Sequence, residues 1–270
     1  MLSREDMWDM PLSAQAAERE GKGGASIPHL VGNAIYGVLF VALKAAFRFT
    51  VEGIEHLRAF SDGRGCVVAG NHASYFDPVF LWLAARPKQW IRFMARDNMF
   101  ENMGGFAGQA ISRVGAFPVK RSSADRAAIK RAAAMLKRGE IVGIFPEGTR
   151  RGRGTATPDI HAGVAFIARM GKAPIIPSSV RGVEGIKPPG SKLPRFPKIA
   201  VVFGAPLFLE DFDFLPKEDR LEAASWYVMR ECYALYRDID REKVNMKELF
   251  PEAKDFASVF AGRDMSRKGA

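Results

Sequence analysis

The stretch SADRAAIKRAAAMLKRGEIVGIFPEGTR, residues 123–150, reads as a helix, a turn and a buried strand in direct succession. Its first part opens on the capping candidate Ser123 and closes on Gly139, a residue free to end a helix in the left-handed region. IVGIF (141–145) follows at once as a short apolar strand and runs straight into a polar loop. The same alternation extends in both directions. CVVAG (66–70), IRFMA (91–95), GAFPV (115–119), PIIPSSV (174–180) and KIAVVFG (198–204) are short β-rich runs, and HAGVAFIARMGK (161–172) is a second helix that ends in the same way at Gly171. Strands alternating with helices predict an α/β domain with a mostly parallel, mixed sheet covered by helices.

With 270 residues, 47% of them hydrophobic, the chain is long enough for one main domain, placed at 48–240. Forty Lys and Arg against thirty Asp and Glu leave a net charge of +10, so the surface attracts anions. Nucleic acid, an anionic bilayer and a phosphorylated small molecule all satisfy that requirement. The aromatics are mostly Phe inside apolar runs and no recognition motif is present, so nucleic acid is not expected. Cys66 and Cys232 stand far apart, which argues for buried thiols in a reducing cytosolic setting rather than a disulfide framework. No two of the four histidines, His29, His56, His72 and His161, have zinc-site spacing, so a metal is not expected; no other cofactor is expected either.

Residues 1–26 mix Arg, Glu and Asp and end in GKGGAS, the composition of a mobile lead-in. LVGNAIYGVLFVAL (30–43) is almost wholly apolar, yet as a helix it reaches only about 21 Å against a hydrocarbon core of roughly 30 Å. Extension to Phe49 supplies the length but carries Lys44 and Arg48 inward. Acidic residues before the run, and no small-residue cleavage site after it, disfavour a signal peptide. A buried core helix is one reading of 27–47. The preferred one is a membrane-interface helical segment with basic residues at headgroup level, on the cytoplasmic face of the cell membrane. Further on, KPPGSKLPRFP (187–197) is a loop, 216–240 a peripheral helix, and 241–270 a C-terminal tail.

VVAGNHASYFDP (67–78) sets His72 and Asp77 five residues apart just after a strand. On one helix they would diverge by about 140°, but in a turn at the carboxyl edge of a sheet Asp77 can fold back onto one imidazole nitrogen and leave the other as a base. The spacing is equally consistent with Asp77 capping a helix at Pro78 and His72 being an ordinary sheet-edge residue. No G-x-S-x-G elbow accompanies the pair, so the attacking group is expected to belong to the substrate. In FPEGTR (145–150), Gly148 has an unhindered amide for an oxyanion, while Glu147 and Arg150 suit substrate hydroxyls and phosphate. Lys120 and Arg121 follow another strand and belong on the same rim; Arg151 and Arg153 read as ordinary surface charge.

NHASYFD (71–77), GAFPVKR (115–121), FPEGTR (145–150) and APIIPSSV (173–180), in this order, resemble the four blocks of the glycerolipid acyltransferases, whose bacterial type is 1-acylglycerol-3-phosphate acyltransferase. TVEGIEHL (50–57) also looks like that family's lead-in strand, so the likeness covers roughly residues 48–205. The resemblance implies His72 as general base and Asp77 as its orienter. It implies acceptor binding and transition-state stabilisation by Glu147, Gly148 and Arg150, and acceptor phosphate at Arg121. Arg96 stands where family members often have lysine, near the thioester oxygen; Lys120 replaces a frequently acidic or neutral residue and is an optional contributor. The implied reaction moves an acyl group from acyl-CoA or acyl carrier protein to lysophosphatidic acid at a membrane surface, with another lysolipid such as a lyso-ornithine lipid as the alternative acceptor.

Overall fold

The computed structural model describes residues 3–21, 26–101, 105–120, 125–148, 159–188, 190–191 and 193–265. Seven strands form one sheet: β1 (Phe49–Glu52), β2 (Cys66–Gly70), β3 (Ile91–Arg96), β4 (Phe117–Val119), β5 (Ile141–Ile144), β6 (Ile175–Arg181) and β7 (Ile199–Phe203), in the order β1-β7-β6-β2-β5-β3-β4. From β6 to β4 all neighbours are parallel; β7 runs against β6, and β1 runs with β7. The sheet is therefore mixed, with a parallel centre. β2 and β5 are buried at every position, which is why their sequences show no polar alternation.

Among the described residues ten α-helices accompany the sheet: α1 (Arg4–Asp9), α2 (Ala14–Arg19), α3 (His29–Ala46), α4 (Ile54–Arg58), α5 (Asp77–Ala85), α6 (Phe106–Arg113), α7 (Arg126–Lys137), α8 (Gly163–Gly171), α9 (Arg220–Arg237) and α10 (Met246–Leu249). Val67 and Ala69 of β2 point to one face, packed by α7, α8 and α9; Cys66 and Val68 point to the other, packed by α5.

Over its described residues, 125–148, the opening stretch forms α7 and β5 as its pattern predicts, with a change at the N-cap. α7 is capped by Asp125, whose carboxylate accepts from Ala127 N at 3.1 Å and Ala128 N at 3.0 Å; Ser123 lies outside the described residues. Gly139, at φ +90°, ends α7 through Gly139 N to Leu136 O and Glu140 N to Met135 O. The left-handed residue ending α8 is Lys172, at φ +51°, rather than Gly171. Gly171 instead lets α8 approach α7 closely, since a Cβ there would lie 2.5 Å from Leu136 Cδ1.

The amino-terminal segment departs from expectation, because residues 3–21 form α1 and α2 and bury Met7, Leu12, Ala16 and Ala17. Their hold on the domain is polar as well as apolar. The guanidinium of Arg92, 0% exposed on β3, donates to Met7 O at 3.0 Å, Trp8 O at 3.1 Å and Met10 O at 2.8 Å, and pairs with Glu140 at 3.0 Å. The tail is likewise part of the domain: Val244, Phe250, Phe256, Phe260 and Met265 are buried in the core beneath α9, so the boundary drawn at 240 does not divide the structure.

α3 packs one side on α5, where the Tyr36 ring meets Trp82 edge-on at 5.9 Å, and on Trp90 just before β3, whose ring leaves no room for a Cβ at Gly32. Its other side exposes Leu30, Val38 and Val41, each about 70–80% accessible, and Gly32 is its one buried residue. This excludes the buried-core reading. The helix is 18 residues long and apolar enough to cross a membrane by length and composition; it stops at Ala46, Phe47 is extended, and Phe49 opens β1. The exposed cations of α7, Arg126, Lys130 and Lys137, lie on the opposite layer from α3, and a solvated helix face accounts for them.

Candidate active site

The parallel strands end on one rim, where β2 and β5 lie side by side and each enters a polar loop. After Gly70 the chain turns through Asn71, which is buried and accepts the Ser179 hydroxyl from β6 at 2.9 Å. The imidazole of His72 then meets Asp77, Nδ1 to Oδ2, at 2.9 Å. The same carboxylate oxygen accepts the Ser74 amide at 2.7 Å. Phe76 is the N-cap of α5 and makes no side-chain cap bond, so Asp77 holds the turn and the imidazole rather than capping that helix.

With a carboxylate at Nδ1, the ring keeps its proton there and Nε2 is the basic atom. Among the described residues nothing bonds Nε2, and the side chain is 16% exposed at the rim. Phe145, the residue after β5, stacks under the imidazole with centroids 4.2 Å apart, and Phe93 stacks beneath Phe145 at 5.7 Å. Burial pushes the Asp77 carboxyl above the usual carboxylate range, against the hydrogen bonds from His72 and the Ser74 and Ala73 amides that stabilise its charge.

Two expected substrate contacts face inward instead. Glu147 is 2% exposed, and its Oε1 accepts the His72 amide at 3.0 Å and the Tyr233 hydroxyl at 3.0 Å. It braces the loop that carries His72, where acceptor hydroxyls had been expected. Gly148, expected to offer its amide to an oxyanion, donates that N–H to Phe145 O at 3.0 Å and closes the turn after β5. Its φ of +62° explains the glycine, and a Cβ there would come within 3.1 Å of the His161 ring.

Arg96 is exposed at the end of β3, beside Val119 of β4, and exposed Lys120 follows directly. Both occupy the same rim as His72. Arg121 and Arg150 lie outside the described residues. Sequence reasoning missed Tyr233, which carries no motif, and Ser179, whose signal was a pair of serines inside a buried strand. Cys232 lies close behind β2, donating to Ala69 O at 3.3 Å, but burial pushes its thiol up to about 12, so it is no nucleophile. Both cysteines are buried, as expected.

The family model for acyltransferases matches residues 48–181, a span containing all four motif blocks. The 1-acyl-sn-glycerol-3-phosphate acyltransferase of Bacillus subtilis is 33% identical over 177 residues, which is 66% of this chain and 84% of that protein. The chain belongs to the glycerolipid acyltransferase family. Another family member, the 1-acyl-sn-glycerol-3-phosphate acyltransferase of Streptococcus pneumoniae, is 32% identical over 146 residues, 54% of this chain and 51% of its own length. The fold is that of the crystallised acyltransferase of Thermotoga maritima, at a TM-score of 0.52 and 22% identity over 87% of this chain and 83% of that one. Within this acyltransferase, α3 and α9 fall outside the matched residues, so Tyr233 is beyond the reach of the family motifs.

Proposed function

We propose that this acyltransferase moves a fatty acyl group from an acyl thioester to the sn-2 hydroxyl of 1-acylglycerol-3-phosphate, giving phosphatidic acid. The observation that carries the mechanism is the 2.9 Å bond from His72 Nδ1 to Asp77 at the rim of the sheet. Nε2 of His72 takes the hydroxyl proton as that oxygen attacks the thioester carbonyl. The tetrahedral intermediate collapses, the carbon–sulfur bond breaks, and the proton passes to the departing thiolate. No acyl-enzyme is needed. Ionised Asp77 holds the ring in register and stabilises the imidazolium that forms. Arg121 and Arg150 bind the acceptor phosphate, and Arg96 approaches the thioester oxygen with Lys120 beside it. These assignments rest on the likeness to the family and on the rim shared by Arg96, Lys120 and His72.

The lipid acceptor gives α3 its purpose. The exposed side chains of Leu30, Val38 and Val41 enter the membrane interface on the cytoplasmic side, and Lys44 and Arg48 remain at headgroup level. α3 starts beside Trp90, ahead of β3, and ends beside Phe80 near the start of α5, so it climbs toward the rim that carries His72. Acyl-CoA and acyl carrier protein both present the required thioester.

Base catalysis of this kind contributes about 10²- to 10⁴-fold, and His72→Ala should lose that much turnover with labelled acyl donor. An active His72→Ala enzyme would refute the assignment. A panel of lysolipid acceptors with and without phosphate tests the substrate: acylation of a lyso-ornithine lipid in preference to 1-acylglycerol-3-phosphate would replace it.

A further inference from the structure

We infer that Tyr233, on α9, is a positioning residue for His72 that acts through Glu147. The inference deepens the acyl-transfer reading and rests on it. Two contacts set the basic atom of His72: the Asp77 bond orients the ring, and the backbone amide ties the loop to Glu147. Asp77 opens α5 at the far end of the turn and fixes the ring, but it does not hold the backbone of His72 itself. Glu147 follows β5 and is therefore the fixed post against which the loop is placed.

Oε1 of Glu147 accepts the His72 amide and the Tyr233 hydroxyl, each at 3.0 Å, and both Glu147 and Tyr233 are 2% exposed. A buried hydroxyl donating to a buried carboxylate is a strong and directional contact. α9 is well placed for this task, because the neighbouring Cys232 hydrogen-bonds Ala69 O on β2, three residues before His72. The helix thus grips the strand carrying the base and the carboxylate bracing it. Losing the Tyr233 hydroxyl removes a donor from the very oxygen that holds the His72 amide, and the geometry at that oxygen shifts with it. Proton transfer is sensitive to displacements well under an ångström.

Tyr233→Phe keeps the ring, which packs against Phe250 at 5.8 Å, and removes only the hydroxyl. We expect kcat to fall about tenfold with KM for the acceptor within about twofold, because the contact acts on the transition state and not on substrate affinity. The His72 Nδ1 proton resonance, assigned by its loss in His72→Ala, should shift in the same variant. Tyr227→Phe is the control on the same helix: its hydroxyl accepts from Arg241 at 2.6 Å and from the Met265 amide at 3.1 Å, away from the site. It should lower thermal stability and leave both readouts unchanged. A Tyr233→Phe enzyme with either readout at its wild-type value overturns the inference, as does a Tyr227→Phe enzyme that loses as much turnover. Should the wild-type protein fail to acylate 1-acylglycerol-3-phosphate, the functional reading falls, and the resonance alone decides the role of Tyr233.

Discussion

Asp77 is 1% exposed and carries the charge that steers the imidazole, so its ionised form is held at a cost to folding, visible as a pKa above the ordinary range. As pH rises from acid, the unfolded chain releases this proton first, at about pH 4, and the native state releases it later. Within that window the native state binds more protons, so stability from this group declines with rising pH and stays lower above it. Asp77→Asn should therefore show a thermal midpoint at pH 7 equal to or above wild type, with a flatter decline from about pH 4 upward, while turnover drops about 10²- to 10⁴-fold. Parallel melts and assays across that range check both halves. The spacing left the His72–Asp77 contact and a helix cap at Pro78 equally open; the likeness to the family favoured the contact, and the turn after β2 makes it. The inward aim of Glu147 and the closed turn at Gly148 were not legible, since a motif states which residues are present and not which way each group faces.

Among the elements, the strands and the two central helices follow from local pattern, but α1 and α2 do not. They lack a continuous apolar stripe, and their anchor lies in β3 and beyond α7. Arg92 and Arg138 both donate to Oε2 of Glu140 at 3.0 Å, while Oε1 of Glu140 accepts the Leu12 amide at 2.6 Å. Removing one partner from such a buried cluster leaves uncompensated charge, typically at about 3–5 kcal/mol. Glu140→Ala should lose that much in urea unfolding and open residues 3–21 to protease. The arginine in IRFMA is a core residue because Glu140 and the carbonyls of Met7, Trp8, Met10 and Gly115, all from other parts of the chain, satisfy its guanidinium.

For the molecule as a whole, the membrane proposal turns on the side of α3 that faces away from α5. Because residues 3–21 satisfy the buried arginines, deleting residues 1–47 would unsettle the domain along with any anchor. Val38→Asp with Val41→Asp is the cleaner change, as both side chains are exposed and touch no core cluster. Burying a valine is worth about 1.5–3 kcal/mol, so flotation with anionic liposomes should weaken about 100-fold or more while the melting temperature holds. Unchanged flotation would remove α3 from the membrane reading.

Local order in the chain was enough to set the α/β class, the strand positions, the rim where the motifs gather and the apolar character of residues 30–43, because each depends on neighbours within one or two turns of backbone. Folding of the two ends onto the domain, the bracing of His72 by Glu147 and Tyr233, and the exposure of one side of α3 were decided by tertiary structure. Each depends on which distant group fills the last hydrogen-bonding position or covers the last apolar surface, and that partner is selected by packing across the sheet rather than by spacing along the chain.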